Sequence, residues 1–173
     1  WKEVTRLISS PNDFLMVNAS LALHHIQQES ERSKVFEETA RLHPDILTLI
    51  EPNADNFTED FYQRMLNSYE HFSALFAFIN SLDLTLAEKK SLKQFFSHEF
   101  YDNIALPDSH RFEKHQRAER WLELAAEKGF QPIEHAFNGL TFDFPTNEIS
   151  ITTEPYLNFS FPPSNILAIM ALR

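Results

Sequence analysis

Residues 46–76, ILTLIEPNADNFTEDFYQRMLNSYEHFSALF, join a buried-strand signature to a helix through a polar, ligand-sized loop. Ile46, Leu47, Thr48, Leu49 and Ile50 lack polar alternation, as in a parallel strand covered on both faces. The run ends in Glu51-Pro52-Asn53. In open α/β sheets ligands bind beyond the carboxyl ends of the strands, which puts Glu51, Asn53 and Asn56 where a cofactor or substrate would be met. A structural role competes for the later residues: Asn56 or Thr58 suits an N-cap, and Glu59 and Asp60 complement the helix dipole.

Around this unit the periodicity outlines a mixed α/β chain. Phe14 to Val17, after the turn signal at 9–12, predicts a short buried strand that partners strand 46–50. Between them Ser30 caps a helix that turns Val35, Phe36, Thr39 and Leu42 inward and stops at His43-Pro44. A long helix follows over about 58–82, with Phe61, Met65, Tyr69, Phe72, Phe76 and Ile79 as one apolar stripe reading as core. Further helices are predicted over 86–96 and 111–128, the second stopped by Gly129, with a short strand or turn at 100–105. The texture then turns to β: 149–153 and 156–161 alternate, 165–172 is nearly continuous apolar, and Pro162-Pro163-Ser164 reads as the turn of an antiparallel hairpin.

Charge and composition narrow the function. A formal net charge of −10 without a concentrated basic face argues against direct contact with nucleic acid. The lack of cysteine removes disulfides and thiolate chemistry and fits the cytoplasm, or the nucleus of a eukaryote. No run is long enough to span a bilayer, so no membrane partner is expected. Only Gly129 and Gly139 occur, neither in a phosphate-cradling loop. An all-apolar first strand makes a poor sheet edge. We therefore expect 1–173 to be the C-terminal part of a single domain whose N-terminal half is absent from this chain and is its first partner. Trp1 in place of Met fits a start upstream.

Four segments resemble the GRAS family, known mainly as plant transcriptional regulators with bacterial members. Leu15-Met16-Val17-Asn18 through Leu23-His24-His25 is similar to that family's VN...LHxL segment, and Leu47-Thr48-Leu49-Ile50-Glu51 to its VTLVEQE strand. Asn56 through Phe61, Arg64 and His71 to Phe76 resemble N...F..RF...L.YYSALF. Asn103-Ile104-Ala105, Arg111 to His115, Trp121 and Gly129-Phe130 resemble NVVA...RVERHE...W...GF. Gln116 in place of Glu, Pro107-Asp108 in place of Glu-Gly and an ending without Ser-Ala-Trp fit a divergent member, such as a bacterial one. The resemblance implies a Rossmann-like, methyltransferase-type sheet, here its C-terminal half with a terminal antiparallel hairpin. It also implies a regulatory interaction domain or a small-molecule binder without demonstrated catalysis.

The same residues also look like small-molecule methyltransferases that read LHH after the fourth strand and VEP at the end of the fifth. That resemblance implies an alternative, a methyltransferase acting on a small hydroxylated compound with S-adenosylmethionine as cofactor. His24 would then be the general base, Asn18 and Glu51 would hold the cofactor, and His25, Asn53, Asn56 and Arg64 would face the substrate. An Asp60–Arg64 pair at helix spacing and an Asn18–Glu51 hydrogen bond are the structural alternatives. Adjacent histidines on a helix point apart, and His110 and His115 lack a ligand spacing, so no metal is expected. Arg111, Lys114, Arg117 and Arg120 with interleaved Glu113, Glu119 and Glu123 read as a solvated helix face with a Glu113–Arg117 pair. An open cleft around Asn18, His24, Glu51 and Asn53 would suit an enzyme, whereas an occluded one beside an apolar outer patch would suit a partner-binding module.

Overall fold

A computed structural model describes residues 13–144 and 146–173. The turn signal at 9–12 lies outside the described residues. The described residues form a mixed α/β structure on one open five-stranded sheet. Its strands are β1 (Met16–Ser20), β2 (Ile46–Pro52), β3 (Ser150–Thr152), β4 (Leu157–Phe161) and β5 (Ser164–Leu172), in the order β1-β2-β5-β4-β3. β1 and β2 are parallel, in register from Met16 opposite Ile46 to Ser20 opposite Ile50. β5 is antiparallel to both β2 and β4, and Phe161 pairs with Ser164 across the hairpin turn.

The helices are α1 (Glu29–Ala40), α2 (Phe61–Ser81), α3 (Leu86–Ala105) and α4 (Ala118–Ala126). α1 and α4 cover the sheet through Phe36, Trp121 and Leu124, which pack with Leu47, Leu49, Met170 and Leu172 in one core. A second cluster, Phe72, Leu75 and Ile79, ties α2 to Phe96 and Phe100 of α3 and to Ile166 of β5. Burial of this apolar area is the main favourable term in such a fold. Gly129 ends the α4 region at φ +93, a conformation glycine adopts without strain.

Several boundaries depart from the sequence expectations for local reasons. β1 starts at Met16, because Leu15 is already tied to Asp45 through both its N–H and its carbonyl. α1 carries no side-chain cap from Ser30; Gln28 is its N-cap. α2 begins at Phe61 with Asp60 as cap, its carboxylate accepting from the Tyr62 and Gln63 N–H groups at 2.9 and 3.1 Å. α3 runs on to Ala105, so 100–105 is helix, and Pro107 follows its end. Residues 111–117 are not helical, and α4 starts only at Ala118.

The stripe on α2 splits in two. Phe72 and Ile79 are buried, but Phe61 (53% exposed), Met65 and Tyr69 (66%) face outward, joined by Tyr62 and Leu66. The apolar face of this helix is therefore core only along its second half.

Candidate functional site

The site grows from the carboxyl ends of β1 and β2. After β1 the chain turns through Leu21 at φ +50 into a single 3-10 turn, Leu23–His25. Glu51, fully buried at the end of β2, fixes that turn: its Oε1 accepts from the Ala22 and Leu23 N–H groups at 3.1 and 2.8 Å, and its Oε2 lies 2.6 Å from His24 Nδ1. The other ring nitrogen, His24 Nε2, lies 3.2 Å from Glu113 Oε2, and His25 Nδ1 lies 3.5 Å from Glu113 Oε1. The two imidazoles do not diverge, because the turn is not α-helical; their centroids are 4.1 Å apart.

Glu113 belongs to the extended segment 111–117, which crosses the strand ends. Lys114 N–H donates to the His24 carbonyl at 3.1 Å and Asn56 N–H to the His115 carbonyl at 3.0 Å, while Gln116 bridges to Asn53. Arg32, with no exposed surface, pins the segment by donating to the carbonyls of Ile26, His24 and Lys114. Its guanidinium lies over the rings of Phe57 and Trp121 at 4.6 and 4.7 Å. Arg111 donates to the Asn56 carbonyl, to Asn103 Oδ1 and to Asp108, and Lys114 also pairs with Asp108. The Asp102 carboxylate accepts from the Phe112 and Glu113 N–H groups.

The basic residues at 111 and 114 are thus buried clamps rather than a solvated helix face, and Glu113 faces His24 and His25 instead of pairing with Arg117. Nothing in the hydropathy signals this, since Phe112 points outward at 64% exposure while its charged neighbours point in. Segment 111–117 places the chain's own backbone over the strand ends where an α/β sheet ordinarily meets a ligand.

The remaining candidates are dispersed. Asn18 is exposed on β1 and pairs with Ser20 and Thr48, not with Glu51. Asn53 is buried, donating to Asn158 and accepting from the Ala118 N–H. Asn56, also buried, lies 3.3 Å from His115 Nδ1 and accepts from Ser68. Arg64 donates to the carbonyls of Asn103, Thr58 and Glu59, so it forms no Asp60–Arg64 ion pair. Arg32, Glu99, Arg111, Glu113 and His115 were not singled out as site residues by the sequence. Among the open clefts of the described residues are a polar one of about 320 Å³ beside Asn53, Asn67, Glu70, Arg117 and Asn165, and a mixed one of about 700 Å³ between Gln27, Phe57, Asp108 and Lys114.

Burial alone would lower the His24 pKa, but Glu113 and Glu51 outweigh it and raise it to about 9. Burial pushes the Glu113 carboxyl up, yet His115, His24 and His25 hold it at about 2. Glu99 rises to about 7 through burial and the nearby Glu113 charge, and burial lowers His115. A ring that holds its proton at neutral pH is a poor acceptor for a substrate hydroxyl.

The family model of the GRAS domain family matches residues 2–141. Scarecrow-like protein 1 of Arabidopsis thaliana is 27% identical over 132 residues, 70% of this chain and 22% of its own length. Scarecrow-like transcription factor PAT1 of the same plant is 26% identical over 132 residues, 70% of this chain and 26% of that protein. The chain thus spans about a quarter of these relatives. A crystal structure of SCL7 in Oryza sativa superposes with a TM-score of 0.80 at 18% identity, over 98% of this chain and 51% of that one.

Proposed function

Because this chain belongs to the GRAS domain family, we propose that it is the partner-binding part of a regulatory protein and acts through protein contacts rather than catalysis. The observation that carries this is the pairing of a strand-end cleft covered by 111–117 with an open apolar face on α2. Phe61, Tyr62, Met65, Leu66 and Tyr69 lie outward within nine residues, a density rare on a surface without a use. The face is flanked by exposed Glu59, Asp60 and Glu70 on a chain of net charge −10. An amphipathic helix with basic flanks is the complementary partner. A relative named as a transcription factor supports the regulatory reading, and the net charge of −10 without a concentrated basic face supports a role without direct DNA contact, in the nucleus or cytoplasm.

The test is capture of interacting proteins by the native chain and by a Tyr62→Ser/Tyr69→Ser variant of unchanged melting temperature. Partners held by the native chain and lost by the variant support the proposal. Partners held equally by both overturn it.

The order β1-β2-β5-β4, with an antiparallel β5 beside the parallel pair, supports reading the sheet as the C-terminal half of a methyltransferase-type domain. The rest of that domain then covers the free edge of β1. A small-molecule role for this half rests on the cleft beside Asn53, Asn67 and Arg117, at the carboxyl end of β2. S-adenosylmethionine is the first ligand to titrate by calorimetry. Saturable heat that Asn67→Leu abolishes supports it, and its absence in folded full-length protein removes both cofactor and methyl transfer.

A further inference from the structure

We propose that His24, His25 and Glu113 form a binding site for a divalent transition-metal ion of the zinc class, tying the 3-10 turn to segment 111–117. The ligand atoms His24 Nε2, His25 Nδ1 and a Glu113 carboxylate oxygen all lie within 4.8 Å of one another. A tetrahedral ion with bonds of about 2.0–2.1 Å spaces its ligands by about 3.3–3.4 Å. The two nitrogen–oxygen separations, 3.2 and 3.5 Å, straddle that spacing. Glu113 presents a different oxygen to each ring, so it reaches one ion through one or both.

The outer partners suit the same role. Glu51 accepts from His24 Nδ1 at 2.6 Å, so Nε2, which faces Glu113, is the nitrogen that gives up its proton to an ion, and two backbone N–H groups hold Glu51 in turn. A carboxylate behind a histidine in this way is the usual support of a metal-bound imidazole. Two buried polar atoms beside the site lack a well-aligned hydrogen bond, Glu113 Oε2, whose nearest partner is His24 Nε2 at 3.2 Å, and His115 Nε2. His115 Nε2 stands 3.8 Å from Glu113 Oε2 and 3.6 Å from Glu99 Oε2, and these three residues form a second ligand set that shares Glu113. Buried polar atoms are normally satisfied, and an ion at Glu113 gives its oxygen a better partner than the misaligned ring N–H.

Charge points the same way. Arg32 offsets Glu51 from within the core. Once an ion displaces the His24 proton, the Glu113 charge is left without its imidazolium, and the dication takes that place. Two imidazoles and a carboxylate form a donor set that suits zinc and its neighbours better than magnesium or calcium. His25 is 44% exposed at its side chain, which opens a route for the ion and leaves room for a water ligand.

The experiment is Co²⁺ titration of the chelator-treated full chain, followed by visible d–d absorption and by displacement with Zn²⁺. The expected result is one saturating equivalent whose affinity falls about tenfold or more in His25→Ala, since losing a ligand costs at least as much as losing an outer partner. Glu113→Gln gives the same loss. His135→Ala, which removes the exposed His135–Glu154 pair, leaves binding unchanged. No saturable spectrum, a spectrum preserved in both site variants of native circular dichroism, or one lost in His135→Ala overturns the proposal.

Discussion

Glu51 serves two purposes with one carboxylate: it caps the turn after β1 and holds His24. Removing one partner of a buried charge pair costs more than the pair itself contributes, since the other is left without compensation. Glu51→Gln is expected to lower the unfolding free energy by about 3–5 kcal/mol, measured by urea denaturation. The histidines set the pH range of stability. His24 has a folded pKa of about 9 against an ordinary 6.5, so its contribution is full below 6.5 and is lost as pH rises through 9. His71, whose Nδ1 lies 3.2 Å from the Asn165 carbonyl, is lowered by burial to about 3; its contribution is full above 6.5 and is lost as pH falls toward 3. Glu99, raised to about 7, adds to the alkaline decline over its lower range. In chelator-treated protein, stability should therefore decline from 6.5 toward 9, and His24→Gln should flatten that limb. A native profile level over the same range would contradict the assignment of His24.

At the scale of elements, α3 opens with a capping box. Thr85 Oγ1 accepts from the Glu88 N–H and the Glu88 carboxylate accepts from the Thr85 N–H. Thr85→Ala should cost about 1 kcal/mol, read as a lower melting temperature, with α2 unaffected. Such local features are legible in sequence, as are the two parallel strands, α1 and the closing hairpin, because each announces itself through periodicity or turn residues within a few positions. Segment 111–117 is not, because its inward side chains are polar and reach partners far off in the chain: Arg111 donates to the Asn56 carbonyl, 55 residues away, and His115 meets Asn56, 59 away. Interleaved acids and bases look the same whether they face water or each other. The α2 stripe illustrates a second limit, since periodicity reports which face is apolar and not what covers it. Glu51 stands out because strand ends are where α/β sheets place such residues, whereas His24 enters only through the resemblance to methyltransferases that read LHH; their mutual contact, and Glu113 opposite, are long-range and leave no trace in the sequence pattern.

At the scale of the whole molecule, β1 stands at the sheet edge among the described residues, with Phe14 67% and Met16 55% exposed, and an edge strand of this kind invites pairing. This chain by itself should self-associate in a concentration-dependent way, and Met16→Lys should shift it toward monomer in sedimentation velocity, since charge on an edge strand opposes pairing. A monomer at all concentrations would mean that the edge is already protected. β5, the last strand in chain order, lies between β2 and β4, and its Met170 and Leu172 are almost wholly buried. During synthesis β1 and β2 leave the ribosome long before β5, the strand that flanks β2, so Leu47 and Leu49 lack that cover until β5 emerges. The sheet is finished from its middle, and a message cut short before Ile166 would yield two unconnected ribbons rather than a slightly shorter protein.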